Sequence, residues 1–199
     1  AHLLGQFEAN TALAGEVAEA LAQTAGIRST VEAIRGASNV ELPRNIVNPY
    51  CFAPAIAPHI AAADAGIAIE FEIIIAACSQ ARRQADLVII EGVGGFSVPL
   101  GGGRNTADLA EALGLPVIFV VGMRLGCINH AVLTAEAIAA RGLTMAGWIA
   151  NHIDPAMARF TDNLDTLKEL LPAPLLGIVP YGPAGGAEGA ASYLRLAGA

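Results

Sequence analysis

Lysine is nearly missing from this chain. Of its 11 lysine and arginine residues only one, Lys168, is lysine. Chemistry that sets a lysine on a phosphate must use that residue or do without. An intact P-loop, G-x-x-x-x-G-K-[ST], is therefore excluded. Charge is also sparse, at 15% of residues, and it sums to −7 with no basic patch. Nucleic acid and anionic membranes are thus poor partners. The three cysteines, Cys51, Cys78 and Cys127, are scattered and odd in number. They suggest neither a disulfide framework nor a zinc site, and a reducing cytoplasm is expected. No apolar run reaches the roughly 18 residues of a membrane helix. The longest, around Leu113–Met123, contains Pro116 and stops at Arg124. The opening Ala-His-Leu-Leu-Gly lacks the basic start of a secretory signal.

What is present is apolar. The 199 residues are 54% hydrophobic, ample for a sizeable core and incompatible with an intrinsically disordered chain. The length fits one domain, 1–199, with no repeat and no linker. From residue 86 onward, short β-rich runs alternate with helical stretches. Strands are expected at Asp86–Glu91, Leu115–Val121, Met145–Asn151 and Leu175–Val179. Helices are expected at Thr106–Leu113 (capped by Asn105 or Thr106), Cys127–Arg141, Pro155–Leu171 and from Ala190. Unbroken apolar strands imply a sheet covered on both faces, and the alternation implies parallel, three-layer α/β architecture. Earlier residues read as helical over Asn10–Gly26, Ser29–Gly36 and Ile67–Gln84, with a proline-rich irregular stretch over 38–58 and no strand.

In open parallel sheets ligands bind beyond the carboxyl ends of the strands. The first expected strand ends in Glu91-Gly92-Val93-Gly94. A carboxylate there can hold magnesium while glycine backbone approaches a phosphate; a plain tight turn reads the same way. The second ends before Gly122–Gly126, and a helix opens near Cys127-Ile128-Asn129. Its N-terminal amides suit a carboxylate or phosphate, although an ordinary turn is the simpler reading. Asn151-His152 ends the third strand, where an amide matches the edge of adenine or serves as a cap. Pro180-Tyr181-Gly182 ends the fourth, as a base-pocket wall or a turn. His59 has no evident partner for nucleophilic chemistry, and Cys127 reads as structural rather than as a nucleophile.

Five segments carry a specific likeness: VNPYCFAPAIAPHIAA (47–62), VIIEGVGGFSVPL (88–100), LPVIFVVGMRLGCINHAVLTAEAI (115–138), LTMAGWIAN (143–151) and LPAPLLGIVPY (171–181). They resemble dethiobiotin synthetase from about residue 28 to the C-terminus, and GxRLGCINHxxLTxEAI followed by GWxAN is particular to that family. The resemblance implies a homodimeric, magnesium-dependent α/β enzyme of the P-loop NTPase class. Its substrates would be 7,8-diaminononanoate, CO2 and ATP. An amine forms a carbamate, whose oxygen attacks the γ-phosphate; the second amine then closes the ureido ring and expels phosphate. By this resemblance Glu91 is the magnesium ligand, and Glu91, Gly92, Val93 and Gly94 line the phosphates. Asn151 reads adenine, with His152, Pro180, Tyr181 and Gly182 around the base. Cys127, Ile128 and Asn129 receive the substrate carboxylate across the dimer interface.

The first 27 residues depart from the family pattern. The family opens with a strand and a Gly-Thr-x-Thr-x-x-Gly-Lys-Thr loop, followed by a second strand with another active-site lysine. Here Thr11-Ala12-Leu13-Ala14-Gly15-Glu16-Val17 puts glutamate in the lysine position and valine in the hydroxyl position. The family's second metal-binding aspartate aligns onto Thr30 of Arg28-Ser29-Thr30. No catalytic lysine is therefore assignable, and a sheet lacking its first strands is expected. The alternative to an active synthetase is an impaired homologue that keeps dimerisation and partial ligand binding.

Overall fold

Backbone polar groups in a proline-rich stretch still need partners, and short helices provide them. The computed structural model describes residues 27–195, in two compact units, 27–114 and 115–195. The helix expected over Asn10–Gly26 lies outside the described residues. The first unit holds α1 (Ile27–Ala37), α2 (Arg44–Val47), α3 (Pro58–Asp64) and α4 (Phe71–Ala81). These are followed by β1 (Pro99–Gly101), β2 (Arg104–Asn105) and α5 (Thr106–Leu113). Helix α3 starts on Pro58, whose missing N–H costs nothing in the first turn.

Two expectations fail in this unit. The helix expected over Ile67–Gln84 is shorter at both ends. Glu70 is extended (φ −98°, ψ 123°), and its N–H donates to the Tyr50 hydroxyl at 3.0 Å, so α4 begins at Phe71. The strand expected over Asp86–Glu91 does not form. Residues 87–90 are half-buried, but a strand exists only through a neighbour's hydrogen bonds, and this run has no ladder among the described residues. In its place β1 and β2 make an antiparallel hairpin. Its turn, Gly101-Gly102-Gly103, holds all three residues at positive φ, where a side chain would be strained.

The best-capped helix is α5. The Asn105 side chain accepts from the N–H groups of Ala107 (2.8 Å) and Asp108 (3.1 Å), and the Asp108 carboxylate accepts from Asn105 N–H (2.7 Å). This reciprocal box makes Asn105, not Thr106, the cap.

The second unit alternates as expected through β3 (Val117–Met123), α6 (Cys127–Ala140), β4 (Met145–His152), α7 (Phe160–Leu170) and β5 (Leu175–Val179). The helix expected from Ala190 instead lies earlier, as α8 (Gly186–Ala191), and Leu194 beyond it bridges to Gly177 of β5. The strands are parallel in the order β3-β4-β5. One sheet face carries Val121, Met123, Trp148 and Ala150, packed against Cys127, Ala131 and Ala135 of α6 and Leu164 and Leu167 of α7. The other carries Ile149, Leu176 and Val179, packed against Ala190 of α8. Helices on both faces explain why these strands are apolar throughout. The helix expected over Pro155–Leu171 starts only at Phe160. The Asp154 carboxylate accepts from Ala156 N–H (3.0 Å) to close a turn. Arg159 is then left-handed (φ 59°, ψ 37°), a conformation that no α-helix runs through.

Candidate functional site

Strand register sorts the candidate residues of the second unit. Asn151 lies opposite Gly122 of β3 and Val179 of β5, so these three share one sheet face. His152 lies opposite Met123, on the other face. Asn151 is buried at 7% exposure. The His152 ring packs on Phe160, with centroids 4.4 Å apart and planes tilted by 40°. Its buried Nε2 has no hydrogen-bond partner. The pair Asn151-His152 thus reaches two different environments, and Asn151 shares its face with Val179, after which the chain runs into Pro180-Tyr181-Gly182. There Tyr181 is exposed, and Gly182 (φ 55°) turns the chain.

The turn from β3 into α6 is built for close backbone approach. Gly126 (φ 90°) is the helix N-cap and brings no side-chain cap bond. Cys127 N–H donates to Arg124 O at 3.0 Å, which leaves the amides of Ile128 and Asn129 at the positive end of the helix dipole. Cys127 is buried in the core, Ile128 packs against it, and Asn129 is exposed. Cys127 is a core residue, as expected. A cavity of about 240 Å³ opens here, with Gly122, Arg124, Cys127, His130, Thr134 and Ile153 among its walls.

In the first unit Glu91-Gly92-Val93-Gly94 forms an exposed loop. Glu91 has open surface, yet enough protein surrounds its carboxyl that desolvation raises its pKa above the ordinary 4.5. The loop's far end is held by Thr106, which is buried. Its Oγ accepts from Val98 N–H at 2.8 Å and shares its own proton between the carbonyls of Phe96 (2.7 Å) and Gly95 (3.1 Å). Thr106 N–H donates to Val98 O at 2.9 Å. The Arg104 guanidinium stacks on the Phe71 ring, 4.0 Å from its centroid, and ties the hairpin to α4. The sequence reading missed Thr106 as a loop clamp and Phe160 as the neighbour of His152. A threonine opening a capped helix was the one available signal for the first.

No group of three or more His, Cys, Asp or Glu side chains that would hold a metal occurs among the described residues. Glu91 therefore belongs to no such group. Its carboxylate suits a hard cation that takes one or two carboxylates and completes its shell with water and phosphate oxygen, as magnesium does. None of the described helices is long and apolar enough to cross a membrane.

A parallel sheet with helices on both faces and candidate ligand residues at its strand ends defines a layered α/β domain. A protein-family model described as an AAA domain matches residues 19–188. The chain is 58% identical over 165 residues to the ATP-dependent dethiobiotin synthetase BioD of Aromatoleum aromaticum, covering 83% of this chain and 73% of the relative. The proteins of the same name from Ralstonia nicotianae (52% over 167 residues, 84% and 73% covered) and Nitrosospira multiformis (49% over 172 residues, 86% and 76% covered) are similar. The chain belongs to the dethiobiotin synthetase family.

Proposed function

We propose that this chain acts in biotin biosynthesis as an ATP-dependent ligase, carboxylating 7,8-diaminononanoate with CO2 and closing the ureido ring of dethiobiotin. The observation that carries this reading is the adjacency of two ligand seats at one end of the sheet. Asn151 and Gly122 are register partners, and α6 begins five residues beyond Gly122. Asn151 reads the adenine edge, and Pro180, Tyr181 and Gly182 border the base. Cys127, Ile128 and Asn129 form the turn that receives the substrate carboxylate across the interface of a homodimer; Cys127 N–H is held by Arg124 O at 3.0 Å, so Ile128 and Asn129 supply the backbone N–H groups. Glu91 would hold magnesium, which neutralises phosphate charge when bound; Gly92, Val93 and Gly94 let the backbone approach the phosphates. Positioning and charge neutralisation are what phosphoryl transfer asks of a protein.

Calorimetry with ATP, magnesium and diaminononanoate, alongside assay of dethiobiotin formation, tests this reading. Binding of neither ATP nor diaminononanoate overturns it.

A further inference from the structure

Gly122 and Ile153 form a contact that the fold does not need for its core. A Cβ built on Gly122 would lie 2.7 Å from Ile153 Cδ1 and 3.5 Å from its Cγ1. Gly122 is not among the glycines at positive φ, so the backbone accepts a side chain there, but the far end of Ile153 must shift to admit it. The Ile153 side chain thus lies on the bare face of Gly122, the face shared with Asn151. It is not buried by doing so: Ile153 stays 42% exposed. The result is an open aliphatic surface beside a buried amide at the carboxyl end of a parallel sheet. Ligand pockets pair apolar walls with a few placed polar groups in this way. A purine has the matching chemistry, with a flat apolar face and a hydrogen-bonding edge.

We infer that Ile153, seated on Gly122, is the wall against which the purine packs while Asn151 reads its edge. Gly122 is then a specificity-determining position, because any side chain there pushes Ile153 into the space of the base. This rests on the proposed reading of Asn151, and the test separates the two.

The probe is adenosine, which carries the base without phosphates, titrated by NMR against the full 199-residue chain and four variants. Melting temperature is recorded for each. Asn151→Ala is expected to weaken binding by about tenfold. Gly122→Ala is expected to do the same through displacement of Ile153. Ile153→Ala should lose about threefold of the packing. Gly122→Ala combined with Ile153→Ala should bind no worse than Ile153→Ala alone, since the clash is gone. This rescue is the outcome that a general loss of folding does not produce. Wild-type affinity in Gly122→Ala or in Ile153→Ala, with loss in Asn151→Ala, overturns the inference and leaves the Asn151 reading standing. Wild-type affinity in Asn151→Ala, or no saturable binding by the wild type, overturns both. If Gly122→Ala melts too low to assay, Ile153→Ala against Asn151→Ala decides.

Discussion

Asn151 and His152 are consecutive in sequence and face opposite sides of the parallel sheet. Asn151 shares its face with Gly122 and Val179, whereas His152 pairs with Met123 and packs on Phe160. Substitution at the two positions should therefore separate cleanly. Asn151→Ala is expected to weaken ATP binding by about tenfold, the scale of one hydrogen bond to the base. His152→Leu is expected to leave ATP affinity unchanged and to raise the melting temperature, because it removes a buried ring nitrogen without a partner. Calorimetry and thermal melting of both variants check this.

Glu91 should make the chain less stable as pH rises. Desolvation raises its folded pKa above 4.5, so the folded state holds the proton more tightly than the unfolded chain. The penalty is absent below the unfolded pKa, grows as pH climbs to the raised value, and is full above it. Glu91→Gln should accordingly melt higher than wild type at pH 7, and the two should converge in acid below pH 4.5. Magnesium together with ATP should narrow the gap at pH 7 by stabilising the charged carboxylate. Melting curves across pH, with and without magnesium and ATP, measure each part.

Thr106→Val should loosen the loop that follows Glu91. The substitution keeps the shape but strands Val98 N–H and two carbonyls that the hydroxyl now serves. About 2 kcal/mol of stability should be lost. Hydrogen exchange at Val98 should accelerate more than exchange in β4, since the damage is local.

The three thiols should react in order of their exposure. Cys51 is exposed, Cys78 is half-buried with its pKa pushed up by desolvation, and Cys127 is buried in the sheet–helix core. Alkylation of the native chain at pH 8 should label Cys51 first and Cys78 slowly. Cys127 should react only in denaturant. Peptide mapping by mass spectrometry reads the sequence of events.

The second unit was legible because its signals are local. Runs such as VIFVV and LLGIV have no polar face to hide, so they read as strands covered on both sides. The end of β5 at Val179 follows from Pro180, which cannot extend a strand interior. The start of α5 was readable to within one residue, Asn105 or Thr106, and the Asp108 carboxylate on Asn105 N–H settles it. The strand expected over Asp86–Glu91 had the same apolar character, but a strand also needs a neighbour, and composition does not supply one. The contacts of Ile153 with Gly122 and of Phe160 with His152 were illegible for a related reason. Each depends on register between strands or on where a left-handed residue, Arg159, redirects the chain. At the candidate site, residue types and strand-end positions were readable. The face that each side chain takes was not: His152 takes the face of Met123, and Asn151 that of Gly122.

Trp148 lies in β4 three residues before Asn151, with 0% exposure and no partner for its indole N–H. It is the chain's one tryptophan. The molecule therefore carries a single built-in optical reporter. Its emission should be blue-shifted in the native state and move red only when the sheet itself opens to water. Light from this protein reports on one strand, close to the residue proposed to read the base.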